Sequence, residues 1–363
     1  MIMNFILAFL ISFALAAILT PLIKRFALKF GFVDKPGEDR KIHKKPMPLL
    51  GGLVIFVVVV LLIAIIWFTT DWISAGPIQP KHFIGVLVGL LFLLIGGVLD
   101  DKYTLKPLQQ IIWPILAALS LICAGIGIDQ ITNPFGGTIA LNQWEVVAFW
   151  WDGLAYKLTL PSDIFTFVWI LGMIYTTKFL DGLDGLAAGI TGIGAFMIFF
   201  LALYTQFFQP DVAMLAIVVA GAITGFLIYN FHPAKMFLGE SGSTILGFLL
   251  GTLAIISGGK IATALLVMGI PVLDVLWVIL RRMFIEKKSP FKGDRKHLHF
   301  RMLDLGLNQR QAVLFLYLIA ALFGTATLFL QSQYKLLTLG VLAVVMVIMA
   351  VILVKSYKGD SQA

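Results

Sequence analysis

Charged residues and cysteine are both scarce in this chain of 363 residues. Asp, Glu, Lys and Arg together make up 13 % of the sequence, whereas a soluble domain usually carries about 25 %. Hydrophobic types make up 60 %, and the single cysteine, Cys123, excludes an intrachain disulfide. The composition therefore excludes an ordinary soluble protein and favours one membrane-embedded domain over residues 1–363.

Long apolar runs supply the positive side of this prediction, because about 20 apolar residues suffice for a helix to cross a bilayer. Such runs fall at 3–22, 49–68, 83–99, 111–128, 164–178, 186–206, 213–230, 243–257, 261–280, 312–330 and 335–354. We predict an all-α polytopic integral membrane protein with about eleven transmembrane helices. A turn signal at Asn133–Gly137 predicts a short external β-hairpin in the loop 129–163.

The distribution of Lys and Arg predicts the orientation, since cytoplasmic loops carry an excess of both. With the N-terminus outside and the C-terminus cytoplasmic, 23 of the 27 basic residues face the cytoplasm and 4 face outward. The loops 22–48 and 281–311 hold most of them. Proximity to anionic lipid explains the net charge of +8 without a nucleic-acid partner.

Carboxylates are costly near a bilayer, yet six of them fall on the predicted cytoplasmic side. They are Asp100, Asp101, Asp181, Asp184, Glu240 and Asp274. Asp274 lies inside the ninth apolar run, where a structural acid is not needed. Clustered carboxylates that act on phosphates imply a hard divalent cation, most simply Mg²⁺, with Mn²⁺ able to substitute.

The spacing of these acids adds detail. Asp181 and Asp184 are three residues apart, so a helix beginning there would place them on one face. Asp100 and Asp101 are adjacent and must point in different directions, so only one of them should reach a reacting group.

Two basic segments are candidate binding sites for a phosphorylated substrate. The cytoplasmic loop 281–311 contains nine Lys or Arg among 31 residues, together with His297 and His299. The segment before the second apolar run carries Lys44 and Lys45 and ends in prolines and glycines that lead into a helix N-terminus, a natural anion site. Both segments are equally explained as basic loops that hold the chain against the membrane surface.

Taken together and in order, these motifs resemble the polyprenyl-phosphate N-acetylhexosamine-1-phosphate transferases. The resemblance covers nearly the whole chain. It is carried by His43 with Pro46–Gly52, Gly97–Asp101 with Leu105 and Pro107, Asp181–Ala187, Tyr229–Ala234, Phe237–Ser243, Pro271 with Asp274, and His297, His299 and Arg301.

The resemblance implies that a polyprenyl phosphate such as undecaprenyl phosphate attacks the β-phosphorus of a UDP-N-acetylhexosamine and that UMP leaves. It implies Asp274 and Asp184 as metal ligands. The implied catalytic residues are Asp100, Asp101, His297 and His299. The implied substrate-binding residues are Lys44, Lys45, Lys178, Asp181, Asp184, Asn230, Glu240 and Arg301. We further expect a multi-pass protein of the cell membrane, an active site on the cytoplasmic face, and a homodimer.

Three positions depart from the family pattern. Lys178 replaces a common Asn, Glu240 replaces a common Asp, and Phe300 follows the histidine motif where another His is common. These departures leave the donor sugar open between N-acetylglucosamine, which the pattern favours, and the pentapeptide donor of the phospho-N-acetylmuramoyl-pentapeptide transferases.

Two other classes fit less well. A CDP-alcohol phosphatidyltransferase needs an Arg that the segment Asp184–Gly189 lacks. A transporter usually places its acids near the bilayer midplane and shows internal repeats, and this sequence does neither.

Overall fold

The structure is a computed structural model of the whole chain. It describes residues 1–37, 45–73, 76, 78–133, 137–151, 154–204, 208–258, 261–287, 297–330, 334–335 and 337–348. The predicted site residue Lys44 and the motif residue His43 lie outside the described residues, as does 288–296 of the basic loop.

Helices dominate the fold. They are α1 (Ile2–Phe30), α2 (Gly51–Thr69), α3 (Pro80–Tyr103), α4 (Pro107–Cys123), α5 (Leu160–Leu180), α6 (Leu186–Tyr204), α7 (Pro210–Asn230), α8 (Gly239–Ile256), α9 (Ile261–Val267), α10 (Gly269–Leu280), α11 (Leu298–Asp304), α12 (Gln309–Phe329) and α13 (Leu337–Ile348). A π-helical turn, Arg281–Ile285, continues α10.

In the described part of the chain, eight helices are each long and apolar enough to cross a membrane. The pair α9 and α10 makes a ninth if it counts as one span, although the two are bent by 78°. The chain is thus a multi-pass membrane protein by helix length and composition. The helices α4 and α13 are apolar but shorter, so the count of eleven spans and the sides of the termini stay predictions.

Three small antiparallel sheets accompany the helices. Strands β1 (Val33–Asp34) and β2 (Met47–Pro48) pair between α1 and α2. Strands β3 (Gln130–Thr132), β4 (Thr138–Ala140), β5 (Glu145–Trp151) and β6 (Leu154–Thr159) form two further pairs between α4 and α5. The position of this second region outside the membrane stays a prediction.

The helices α7 and α8 form the centre of the bundle, because both are buried along most of their length. The peripheral helices expose apolar side chains such as Ile18 and Leu322, as expected of surfaces that face lipid.

Glycines bring three helix ends close together at one end of the bundle. A Cβ on Gly97 of α3 would lie 2.2 Å from the Cα of Ser241 in α8, and one on Gly52 of α2 would lie 2.4 Å from the Gly242 nitrogen. Only glycine permits this approach. It sets the end of α3, which carries Asp100 and Asp101, directly beside the start of α8.

Candidate active site

The carboxylate of Asp100 is held by groups from the connection to α4 and from α4 itself. Its Oδ1 accepts hydrogen bonds from the Leu105 backbone N–H at 2.6 Å and from Gln110 Nε2 at 3.0 Å. The same Gln110 nitrogen also donates to the Leu105 carbonyl at 3.0 Å. Asp100 is therefore fixed at the end of α3 through one of its two oxygens.

The adjacent carboxylate of Asp101 faces the start of α8. Its Oδ1 accepts a hydrogen bond from the Glu240 backbone N–H at 2.8 Å, one of the donors that a helix N-terminus leaves free. Gly239 has φ +72°, and a Cβ there would lie 2.6 Å from Asp101 Oδ2. Asp100 and Asp101 thus have different partners, as their adjacency predicts.

Lys178 and Glu240 join α5 to α8. The Lys178 ammonium forms an ion pair with Glu240 Oε1 and donates to Gln110 Oε1 at 3.0 Å. Both side chains of the ion pair are mostly shielded, with 19 % and 22 % exposure. Glu240 lies in the first turn of α8, where an acid is favoured by the helix dipole. Two departures from the family pattern are therefore direct partners.

Asp181 and Asp184 lie in the turn between α5 and α6, and the prediction that they share a helical face is wrong. The helix α5 ends at Leu180, and Gly185 has φ +79°, a left-handed conformation that interrupts helical geometry before α6 begins. Burial of the carboxyl group raises the pKa of Asp181 to about 7, with further contributions from the charges of Glu240 and Asp184.

Asp184 braces the loop after α7. Its Oδ2 accepts a hydrogen bond from the Ala234 backbone N–H at 3.1 Å and lies 2.7 Å from His232 Nδ1. The same loop is tied to α12, because Arg310 Nε donates to the His232 carbonyl at 3.0 Å. The side chain of His232 is 36 % exposed, so it is accessible from the end of the bundle.

Asp274 in α10 is paired with the histidine segment. Its Oδ2 lies 2.7 Å from His297 Nδ1, and its Oδ1 accepts from the Leu298 backbone N–H at 3.0 Å. The rings of His297 and His299 stack with centroids 5.6 Å apart. His297 has an extended backbone just before α11, which lets these two nearby histidines share a face.

His299 connects the Asp274 group to the aspartate turn. A Cβ on Gly182 would lie 2.4 Å from His299 Nε2, so this glycine lets the imidazole approach the backbone between Asp181 and Asp184. Burial lowers the pKa of His299 to about 4, opposed by Asp274 and assisted by His297. The ring is therefore neutral near pH 7 and can accept or donate one hydrogen bond without a charge.

The remaining predicted site residues are placed at the same end. Asn230 is buried at the end of α7, and its Nδ2 donates to the Met236 carbonyl at 3.1 Å. Arg301 lies in α11 and is half-buried, and Lys45 is exposed beside β2. Asn230 thus shapes the loop that Asp184 also holds, while the other two are positioned to meet a ligand from solvent.

The donor set suits a hard cation, because it consists of carboxylates with oxygen ligands. Within the described residues no three His, Cys, Asp or Glu side chains are arranged as a ready metal site. Mg²⁺ commonly binds through one or two carboxylates and completes its coordination with water and substrate phosphates. The site therefore fits Mg²⁺ held jointly with a substrate, and it does not fit a closed structural metal site.

Two residues in this arrangement were not predicted as site residues. His232 falls inside a motif segment, so its proximity to Asp184 had a sequence signal that was not followed. Gln110 had none, because a single amide in an apolar helix is compatible with any buried polar contact. Its link to Lys178 spans 68 residues.

The fold and this constellation define a multi-pass membrane protein with an acidic and histidine-containing site at one end of its helix bundle. The family model described as glycosyl transferase family 4 matches residues 83–258, which include α3 to α8 and most of the acids. The chain belongs to this family of transferases, as its similarity to whole relatives also shows.

Among these relatives, the "Probable undecaprenyl-phosphate N-acetylglucosaminyl 1-phosphate transferase" of Bacillus subtilis (strain 168) is 32 % identical over 354 residues, 96 % of this chain and 90 % of the relative. The "Decaprenyl-phosphate N-acetylglucosaminephosphotransferase" of Mycolicibacterium smegmatis (strain ATCC 700084 / mc(2)155) is 31 % identical and covers 91 % and 84 %. The "Phospho-N-acetylmuramoyl-pentapeptide-transferase" of Desulforudis audaxviator (strain MP104C) is 27 % identical and covers 88 % and 96 %.

Proposed function

We propose that this enzyme transfers N-acetylglucosamine-1-phosphate from UDP-N-acetylglucosamine to undecaprenyl phosphate or a similar polyprenyl phosphate. An oxygen of the lipid phosphate attacks the β-phosphorus of the donor. The bond from that phosphorus to the oxygen bridging the α-phosphate breaks, and UMP leaves with the bridging oxygen. The similarity of 96 % of the chain to a relative named for this reaction carries the proposal.

The site geometry supports distinct roles for its two acid groups. Asp100 is fixed through Oδ1, which leaves Oδ2 to bind the lipid phosphate or to accept its proton. Asp101 orients the start of α8 beside it. Asp181, Asn230 and Arg301 are assigned to the nucleotide sugar, and Lys45 to the approach of phosphate.

The second acid group is assigned to a cation. Asp274 and Asp184 would hold Mg²⁺ or Mn²⁺, which supplies neutralisation of the negative charge that develops on the phosphates. His297 orients Asp274 at 2.7 Å, as hydrogen-bonding partners commonly do for a metal ligand. His299, neutral near pH 7, is assigned to hydrogen bonding with phosphate or sugar. Chelation should abolish turnover, and added Mg²⁺ or Mn²⁺ should restore it.

A donor panel tests the reaction. Purified protein, undecaprenyl phosphate and Mg²⁺ are incubated with UDP-N-acetylglucosamine, UDP-N-acetylgalactosamine, UDP-glucose or UDP-N-acetylmuramoyl-pentapeptide, and the product lipids are identified by mass. We expect UMP and a pyrophosphate-linked lipid with UDP-N-acetylglucosamine. Transfer from the pentapeptide donor alone would favour the activity named for the Desulforudis relative, and no transfer from any donor would refute the proposal.

We propose further that the site faces the cytoplasm, where nucleotide sugars are made. A Cys at exposed Lys106, beside the site, should be protected from an impermeant thiol reagent in intact cells, and a Cys at exposed Thr138 should be labelled. Both belong in a Cys123→Ala background. The opposite pattern would place the site on the outer face.

A further inference from the structure

Four polar side chains connect α3, α4, α5 and α8 around the Asp100 carboxylate. The series runs from Asp100 through Gln110 and Lys178 to Glu240, whose backbone N–H returns to Asp101. It borders a cavity of about 250 Å³ that is lined by Asp100, Gln110 and Glu240. The series therefore begins and ends on adjacent residues of the helix that supplies the proposed reacting carboxylate.

The Gln110 amide can serve this series in only one orientation. Its nitrogen donates to Asp100 and its oxygen accepts from Lys178. Rotating the amide by half a turn would set its oxygen against a carboxylate and its NH₂ against an ammonium, and both contacts are repulsive. The positive charge at Lys178 is thus what holds the amide nitrogen toward Asp100.

Glu240 in turn holds the lysine in place. An ammonium that is only 19 % exposed needs a counter-charge, and the longer side chains at 178 and 240 reach each other across α5 and α8. The two departures from the family pattern are therefore explained together, as one paired change that supplies a cation to Gln110.

We propose that Gln110 and Lys178 are positioning residues that act through the Asp100 carboxylate and do not bind the donor. This inference rests on the proposed function, since it assigns Asp100 to the acceptor phosphate. Losing either residue frees the Asp100 side chain to rotate away from the position that the lipid phosphate requires. Misplacement of a reacting group by about 1 Å can lower a rate by about 100-fold.

Steady-state kinetics of Gln110→Ala and Lys178→Met test the proposal, with Gln109→Ala as the matched control. Gln109 is the exposed neighbour, and its Oε1 accepts from the Lys106 backbone N–H at 3.0 Å instead of joining the series. We expect kcat to fall about 10- to 100-fold in both variants, with donor KM changed less than about threefold. Gln109→Ala should match the wild type.

Non-additivity supplies the second criterion. Because both residues act through Asp100, the double variant Gln110→Ala/Lys178→Met should lose no more activity than the worse single variant. Multiplied losses, a rise in donor KM without a fall in kcat for Lys178→Met, or full activity of Gln110→Ala would each overturn the proposal. A raised donor KM would mean instead that Lys178 touches the donor.

Two measurements guard against failure of folding and of the proposed reaction. Lys178→Met/Glu240→Gln leaves no unpaired charge, and kcat should stay low in it, whereas recovery would mean that Lys178 only neutralises Glu240. If the wild type transfers no sugar phosphate, the proposed function fails separately. The melting temperatures of the Gln110 and Lys178 single and double variants then test the relay, and additive shifts would refute it.

Discussion

The two ends of the helix bundle are built from the same helices and differ in chemistry. At the site end, α3 and α8 place Asp100, Asp101 and Glu240 in a hydrogen-bonded series. At the opposite end, α2, α3, α7 and α8 enclose a cavity of about 650 Å³ with almost entirely apolar walls. Trp67 and Phe83 stack there with ring centroids 5.8 Å apart.

The difference separates two demands on one sequence. Buried carboxylates lower stability unless they are paired, so a cluster of them at one end indicates a chemical use. Apolar contacts stabilise the bundle without taking part in chemistry. Substitutions at the site end should therefore change turnover more than stability, and substitutions at the apolar end should do the reverse.

The largest effect is expected for Asp274→Asn. Removing the charge of a proposed metal ligand should lower kcat at least about 1000-fold, which corresponds to about 4 kcal/mol of lost transition-state stabilisation. The protein should still fold, because Asn fills the same space. Activity with lipid acceptor, together with size-exclusion and circular dichroism profiles, measures both parts.

Asp211→Asn is the matched control from the other end. Asp211 is as buried as Asp274, with exposures of 3 % and 7 %, but it lies at the start of α7, beside Gly76. Its kcat should stay within about twofold of the wild type, whatever happens to its melting temperature. Near-normal turnover of Asp274→Asn, or equal losses in the two variants, would remove the distinction between the ends.

A smaller effect is expected for Asp184→Asn, which separates the charge of Asp184 from its role in holding the 231–234 loop. The amide oxygen can still accept from Ala234 and His232, so the melting temperature should change little. Loss of charge from the substrate site should lower kcat/KM about 100-fold. Asp184→Ala removes the brace as well and should lower both quantities. Equal kcat/KM for wild type and Asp184→Asn would restrict Asp184 to a structural role.

The pH dependence of stability offers a third comparison, at Asp181. Its folded-state pKa, about 7, lies above the ordinary value of 3.8, so ionisation is disfavoured in the folded state and stability falls as pH rises through this window. Without substrate or metal, Asp181→Asn should raise the melting temperature by about 2 °C or more at pH 8 and leave it unchanged at pH 4. Equal shifts at both pH values would contradict the buried, charge-crowded environment of this group.

The sequence predicted the helices better than the contacts between them. Each apolar run contains a helix in the described part of the chain, because a bilayer imposes the same length on every span. The run 261–280 was expected as one helix, and the structure bends it at Met268. Pro271 lacks the N–H that would bond to the Val267 carbonyl, which helps to explain the break.

Pairings within the site could not be predicted in the same way. The contacts of Asp184 with His232 and of Lys178 with Gln110 join residues 48 and 68 positions apart, and they depend on how the helices pack. Composition and motif order indicated that these acids belong together. They gave no information on which partner each acid would find.

The smallest effect is expected for Thr252→Val, at the apolar end. Thr252 lines the large cavity, is 3 % exposed, and its Oγ1 has no hydrogen-bond partner among the residues that the structure describes. Replacing an unsatisfied buried hydroxyl by a methyl group should stabilise the protein by about 1 kcal/mol, or about 2 °C in melting temperature, with kcat/KM unchanged.

Thr191→Val is the matched control for this change, because Thr191 is fully buried and its Oγ1 donates to the Ala187 carbonyl at 2.7 Å. That variant loses a hydrogen bond and should show no gain in melting temperature. A lower melting temperature for Thr252→Val would mean that its hydroxyl binds water inside the cavity, since buried water occupies sites with polar partners and avoids purely apolar ones. The apolar end would then contain a polar contact of its own, and the contrast between the two ends would be one of degree.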